Sequence, residues 1–130
     1  MPEREAISTD RAPAAVGAYS QAIRAGGLVF TAGQLGIDPA NGEFSAPDVA
    51  GQAEQALANL AAILDASGSG LDRLVKVTVF LADIADWPAL NEVYSRVVPE
   101  PFPARSAFAV KDLPKGGRVE IEAIATVGPG

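Results

Sequence analysis

The sequence predicts a single α+β domain, residues 1–130, in which one mixed sheet carries two helices on one of its faces. Three observations lead to this fold class. Apolar residues recur at helical spacing in two segments. Segments rich in β-branched and apolar residues, which are typical of strands, lie before, between and after those helices. In the last of these strands apolar and charged residues alternate, so only one face of the sheet is suited to being covered by helices.

The N-terminal part of the chain predicts strands and turns. Residues 1–6 are polar and are expected to be loosely ordered. Leu28–Leu35 predicts a strand that follows a turn at Gly26 and Gly27, and residues 38–42 have the composition of a second turn.

Residues 48–66 predict the first helix, because their apolar side chains recur at steps of three and four. Gly68 follows at a position where a left-handed residue commonly ends a helix. The opposite side of the helix carries polar residues, which predicts an amphipathic helix on the surface: Gln52, Gln55, Asn59 and Asp65.

A buried strand is predicted at residues 74–81 and a second helix at residues 86–97, with Asp86 as its cap. Residues 105–110 and 118–127 predict two closing strands. The segment between them, residues 115–118, is interpreted as a turn because it lacks the strand–loop–helix context of a phosphate-binding loop. The inward stripe of the second helix consists of Leu90, Val93, Tyr94 and Val97.

Two closing strands carry charges on otherwise apolar segments. Arg105 opens the first strand and Glu120 lies inside the second. A charge that leaves water is costly unless it is paired, so the two groups either form a structural ion pair or share a bound molecule. Glu120 alternates onto the same face as Glu122 and Ile124, which no helix of this chain covers. Cover by a neighbouring subunit explains that mixed face best, with Glu122 as an interface or surface residue.

The composition excludes several classes of function. The formal net charge of −6 disfavours nucleic-acid binding, which depends on neutralising phosphates. No apolar run approaches the ~18 residues of a membrane span, and the N-terminus lacks the features of a secretory signal, so a cytoplasmic protein is expected. The chain has no His and no Cys, which removes thiolate nucleophiles, Ser-His-Asp triads and the usual zinc ligands. If the protein is an enzyme, its proton transfers must use Glu, Asp, Tyr, Lys or bound water, and no metal or cofactor is expected.

Five short motifs, in order from about residue 7 to residue 127, resemble the Rid family of reactive intermediate deaminases, also called the YjgF or L-PSP family. The resemblance implies a chorismate-mutase-like α+β fold, a homotrimer with sites between its subunits, and hydrolysis of 2-imino or enamine acids, such as 2-aminoacrylate and 2-iminobutanoate, to 2-keto acids and ammonia. The motifs are Ala12–Gly17, Thr31–Gln34, Asn91–Tyr94, Phe102–Ser106 and Val119–Ala125.

The resemblance also implies roles for individual residues. Arg105 would bind the substrate carboxylate, and Glu120 would position and activate the attacking water. Tyr19 and Asn91 would line the cleft, while Gly33 and Ala107 would offer backbone groups to the ligand. The chain departs from the commonest pattern at two positions, with Ala107 where many members have Cys and Ala32 where many have Ser. A backbone contact survives the first change, and pocket size depends on both.

Alternative functions remain open at this point. An enzyme of the same fold could act on another substrate, as in family members that deaminate 2-aminomuconate. A non-catalytic sensor would bind a keto acid or an amino acid at Arg105 and change its contacts with a partner protein. Glu120 separates catalysis from sensing, since Glu120→Gln should abolish hydrolysis but spare carboxylate binding. Ribonuclease activity, also attributed to some members, is disfavoured by the negative charge and the missing His.

Overall fold

A computed structural model describes residues 3–128. Within this part of the chain, seven strands form one sheet, two further strands form a small hairpin, and two α-helices and three short 3₁₀ helices complete the fold. The strands are β1 (Glu5–Ile7), β2 (Ala22–Ala25), β3 (Leu28–Thr31), β4 (Gln34–Leu35), the hairpin strands β5 (Ile37–Asp38) and β6 (Glu43–Phe44), β7 (Leu74–Leu81), β8 (Ala104–Ala109) and β9 (Val119–Thr126). The helices are α1 (Val49–Ala66) and α2 (Trp87–Val97).

The sheet is mixed, as predicted. Its order is β1-β2-β3-β9-β7-β8, with β4 also paired to β9. All of these pairings are antiparallel except that of β7 with β8, which is parallel. Parallel neighbours need a crossover connection, and α2 supplies it. In this order β8 lies at one edge of the sheet, and residues 98–103 connect it to α2.

The core lies between the sheet and the two helices. Residues of β9 alternate between buried and half-buried positions along its whole length. The buried residues of β9 belong to the same cluster as the apolar residues of α1 and α2, which confirms that both helices cover one face. No helix among residues 3–128 is long and apolar enough to cross a membrane.

The first helix begins and ends as predicted, but its polar side is partly buried. The Asp48 carboxylate accepts a hydrogen bond from the Gly51 N–H, and Gly68 adopts a φ of +81° just after the helix. The prediction of a purely solvent-facing polar side is wrong for Gln52 and Asn59, which are 3% and 0% exposed. Both are buried because their amides hydrogen-bond to backbone groups of neighbouring segments.

The predicted cap of the second helix is also wrong. Asp86 makes no side-chain cap, and its carboxylate instead accepts a hydrogen bond from Arg118 at 3.0 Å. One turn earlier, Asp83 accepts a hydrogen bond from the Ala85 N–H. The segment expected to be loosely ordered begins outside the described residues, and from Glu5 it forms β1, which pairs with β2.

The predicted strand at residues 28–35 is interrupted at Ala32 and Gly33. Phe30 pairs with Ile124 of β9 and Gln34 pairs with Ile121, so β3 and β4 contain one residue more than the strand opposite. Such a one-residue excess is a β-bulge, a feature common next to active sites. The Thr31 hydroxyl accepts a hydrogen bond from the backbone N–H of Ala123, so the displaced strand still satisfies β9 at this point.

Candidate functional site

Three of the predicted site residues line one cleft, which we call the glutamate half-site. The cleft has a volume of about 550 Å³ and lies beside the bulge between β3 and β4. Polar groups at the cleft come from the N-terminal loop, the bulge, the loop before β9 and β9 itself. The residues that define this half-site are Tyr19, Ala32, Gly33, Lys115 and Glu120.

The Glu120 carboxylate lies directly against the backbone of Gly33. A β-carbon placed on Gly33 would be 2.6 Å from Oε2 of Glu120, closer than real side chains approach. A residue without a side chain is therefore needed at position 33 as long as Glu120 keeps this position. Burial, and to a smaller extent the neighbouring Glu122 carboxylate, raises the pKa of Glu120 above its usual value. A raised pKa is typical of carboxylates that act as general acids or bases.

Tyr19 places an exposed ring at the rim of the same cleft. The backbone N–H of Val16 donates a hydrogen bond to the Tyr19 hydroxyl at 3.2 Å, and the Tyr19 N–H donates to the Gly17 carbonyl. These two bonds fold the loop around the tyrosine. Half of the Tyr19 surface remains exposed, so the ring is available to a ligand or to another chain.

The other three predicted residues lie together elsewhere, in what we call the arginine half-site. Asn91 and Arg105 line a cleft of about 320 Å³ between α2 and the start of β8. Arg105 and Ala107 line a second, adjoining depression. The Arg105 guanidinium contacts the rings of Trp87 and Tyr94 on α2. The residues that define this half-site are Trp87, Asn91, Tyr94, Arg105 and Ala107.

The two half-sites lie on opposite faces of the sheet within one chain. Val77 of β7 is paired with Arg105 of β8 on one side and with Ala123 of β9 on the other. Paired residues on adjacent strands point to the same face of a sheet, so Arg105 shares the face of Ala123. Glu120 is an odd number of residues from Ala123 on β9, so it points to the other face. Among residues 3–128, neither Arg105 nor Glu120 forms a salt bridge. A structural ion pair between them inside one chain is therefore wrong.

Sequence reasoning missed three residues of the two half-sites. Trp87 was not singled out, Tyr94 was interpreted as a core residue, and Lys115 was assigned only to a turn. Tyr94 is indeed buried, at 2% exposure, but it also contacts Arg105. The spacing of seven residues between the two aromatics was the available signal, since it places both on one side of a helix. Within the described residues, no group of three or more carboxylates could hold a metal ion.

These features define a class of protein: a small α+β domain with a two-helix layer, an arginine half-site at the sheet edge and a glutamate half-site on the open face. Residues 9–127 match the family model described as Endoribonuclease L-PSP. The chain belongs to this family, also known as the YjgF or Rid family, which confirms the resemblance drawn from the motifs.

Curated relatives and solved structures match over nearly the whole chain. The RutC family protein y4sK of Sinorhizobium fredii is 52% identical over 95% of this chain and 98% of its own length. The 2-iminobutanoate/2-iminopropanoate deaminase of Bos taurus is 52% identical over 97% of this chain and 92% of its own. RidA from an Antarctic Psychrobacter has a TM-score of 0.91 and 48% identity over 95% and 99% of the two chains. TdcF of E. coli, solved with bound serine, has a TM-score of 0.90 and 41% identity over 95% and 99%.

Proposed function

We propose that this chain is a hydrolytic deaminase of reactive 2-imino acids, including 2-iminobutanoate and the imine formed from 2-aminoacrylate. The products are a 2-keto acid and ammonia. The observation that carries the proposal is a pair of complementary groups, Arg105 and Glu120, neither of which has an ionic partner within residues 3–128. The deaminase name of the bovine relative supports the reaction, and the serine bound to TdcF supports an amino-acid-like ligand with a carboxylate.

Arg105 binds the substrate carboxylate in this proposal. A guanidinium presents parallel N–H donors that match both oxygens of a carboxylate, and it stays protonated at every physiological pH. Two such hydrogen bonds fix the plane of the carboxylate and, through conjugation, the plane of the neighbouring C=N bond. Asn91 lies in the same cleft, and its amide is available to the imine nitrogen or to the product carbonyl.

Glu120 activates the water. The water oxygen bonds to C2 of the imine, Glu120 takes a proton from that water, and the C=N electron pair moves to nitrogen, which is protonated. The resulting carbinolamine then loses ammonia as its hydroxyl becomes the keto oxygen, so that one imino acid and one water give one keto acid and one ammonia. 2-Aminoacrylate enters the same route after it gains a proton at C3 and loses one from nitrogen. A positioned general base of this kind contributes about 10²–10⁴-fold.

The catalytic site is formed between two copies of the chain, because Arg105 and Glu120 lie on opposite faces of one sheet. We infer a homotrimer, as in the family resemblance. The open face supports this inference, since it exposes aromatic side chains beside the acidic residues of β9. Phe80 and Phe108 contact each other edge to face at 5.5 Å, and Phe30 and Phe108 are exposed. A sedimentation mass equal to the 13.3 kDa of one chain would contradict the assembly.

The composition of this chain disfavours the ribonuclease activity that the family description names. The chain has a formal net charge of −6 and no His, whereas RNA binding depends on neutralising phosphates. The exposed aromatic residues of the open face lie beside Glu120 and Glu122, whose charges would repel a phosphate backbone.

The test is hydrolysis of freshly generated 2-iminobutanoate and 2-iminopropanoate by wild type, Arg105→Ala and Glu120→Gln, with loss of the imine as the readout. Wild type is expected to accelerate hydrolysis. Glu120→Gln should lower kcat by about 10²–10⁴-fold, and Arg105→Ala should raise KM by about 10- to 100-fold, the effect of losing hydrogen bonds to a charged group. Arg96→Ala, which removes an exposed ion pair with Glu54, is the control and should behave as wild type.

Each result decides between the proposal and its main alternative. Glu120→Gln should still bind 2-oxobutanoate in a calorimetric titration, since it retains Arg105. A wild-type protein that binds 2-oxobutanoate but leaves imine hydrolysis at its spontaneous rate would instead be the carboxylate-binding sensor.

A further inference from the structure

The Arg105 guanidinium contacts two aromatic rings of one helix. Its Cζ atom is 4.5 Å from the ring centroid of Trp87 and 4.4 Å from that of Tyr94. The two aromatics are seven residues apart on α2, which is about two turns and ~10 Å along the axis. The Arg105 guanidinium is thus within cation–π distance of both rings at once.

This arrangement holds an arginine without using its hydrogen-bond donors. An arginine side chain has many rotamers, and fixing one of them has an entropic cost. A carboxylate from the same chain would also fix it, but that carboxylate would occupy the donors needed by a ligand. Aromatic rings attract the cation through the faces of the guanidinium and leave the N–H groups on its edge free. Among residues 3–128, no carboxylate forms a salt bridge with Arg105, as this division of roles requires.

We propose that Trp87 and Tyr94 are positioning residues that hold the Arg105 guanidinium ready for a planar 2-oxo or 2-imino carboxylate. The inference rests on the proposed role of Arg105 in carboxylate binding, and not on the hydrolytic step. It assigns the effect to the two rings and not to the Tyr94 hydroxyl, which is buried and has no hydrogen-bond partner among the described residues. A buried hydroxyl without a partner destabilises a fold, so Tyr94→Phe is expected to be tolerated.

The test uses 2-oxobutanoate, the keto acid related to 2-iminobutanoate, in calorimetric titrations of wild type, Trp87→Leu, Trp87→Phe and Tyr94→Phe. Trp87 is half-buried at the first residue of α2, so its variants should fold, which thermal unfolding checks. Trp87→Leu should raise Kd and KM by about 3- to 30-fold, the range of a desolvated cation–π contact, with kcat little changed. Both phenylalanine variants keep an aromatic ring and should stay within about threefold of wild type.

Trp87 is also the only tryptophan in the chain, so its fluorescence reports on this contact directly. Addition of 2-oxobutanoate should change the emission of wild type and Tyr94→Phe, and should leave that of Arg105→Ala unchanged.

The binding and rate measurements separate the two proposals. If Trp87→Leu binds 2-oxobutanoate with the wild-type Kd while Arg105→Ala has lost binding, the positioning role is overturned. The deaminase proposal is then unaffected. If Trp87→Leu binds 2-oxobutanoate more weakly than wild type does, and wild type does not hydrolyse imines, the positioning role is supported and the deaminase is rejected. Failure of wild type to bind 2-oxobutanoate would overturn this inference, whatever the hydrolysis assay shows.

Discussion

Glu120 has a like-charged neighbour on its own strand and face, and this pair gives the proposed reaction a pH dependence. Burial and the Glu122 carboxylate both raise the pKa of Glu120, so Glu120 stays protonated to a higher pH than an ordinary glutamate. A general base must be deprotonated, so kcat/KM should rise with pH through that raised pKa. Glu122→Gln removes the like charge and lowers the pKa of Glu120, and the acid limb of the profile should therefore move to lower pH.

The measurement is the pH profile of kcat/KM for wild type and Glu122→Gln with the same imine, so that titration of the substrate itself cancels in the comparison. Lys111→Gln alters an exposed charge outside both half-sites and should leave the limb in place. An acid limb that stays fixed or moves to higher pH in Glu122→Gln would show that Glu120 is not the titrating base.

Gly33 limits the position of the Glu120 carboxylate, which lies against its backbone. In Gly33→Ala the new methyl group would lie 2.6 Å from Oε2 and 2.7 Å from Cδ of Glu120. The end of the glutamate side chain can move away, and Gly33 has no positive φ that an alanine would strain. Stability should therefore change little, while displacement of the base should lower kcat by about 10- to 100-fold.

Kinetics and urea unfolding of Gly33→Ala should be compared with those of Gly36→Ala. At Gly36 the added methyl group would meet the Gln52 carbonyl oxygen at 2.5 Å. Backbone of α1 cannot yield as a side chain does, so this variant should lose stability. Full activity in Gly33→Ala would contradict the close packing of Glu120 on Gly33.

At the scale of the elements, Asn59 of α1 holds β4 and β5, whose residues Leu35 and Ile37 line the cleft of the glutamate half-site. Its side-chain amide donates hydrogen bonds to the carbonyls of Leu35 at 3.1 Å and Ile37 at 2.8 Å. Asn59→Ala removes both donors at a fully buried position and should lower the free energy of unfolding by about 2–4 kcal/mol. Urea denaturation measures this loss. Asn41→Ala, in an exposed turn, should cost less than about 1 kcal/mol, and an equal loss in both variants would contradict the bracing role.

The elements also show what a sequence pattern can and cannot reveal. The alternation of β9 and the spacing of α1 predicted their buried sides, because burial follows the period of the backbone. Asn59 was assigned to the outer side because an amide is usually solvated. Its actual partners are carbonyls that lie far away in the sequence, and only the folded chain brings them together. The bulge at Gly33 was missed, although a glycine inside a strand segment was an available signal for it.

At the scale of the whole molecule, the strand order determines whether Arg105 and Glu120 can contact each other, and the sequence alone could not predict that order. Arg105 and Glu120 were correctly singled out as charges that need an explanation. Their relative placement depends on the strand order β9-β7-β8 and on the parallel pairing of the last two strands. Side-chain alternation assigns a residue to a face of the sheet only after the strand order is known, so the residues alone left both the ion pair and the shared ligand open.

Because Arg105 and Glu120 lie on opposite faces of the sheet, we expect oligomers assembled from two different variants to regain activity. At substrate concentrations well below KM, Arg105→Ala and Glu120→Gln are each expected to retain only a small fraction of wild-type activity, because every site then lacks one of its two groups. When equal amounts are unfolded together and refolded, a site between subunits can combine the intact Arg105 of one chain with the intact Glu120 of another. Random mixing restores both groups at about a quarter of the sites in a closed ring, so about a quarter of wild-type activity should return. Each variant refolded alone is the control. If the mixture is no more active than its components while sedimentation shows mixed oligomers, the two residues do not act together across a subunit boundary.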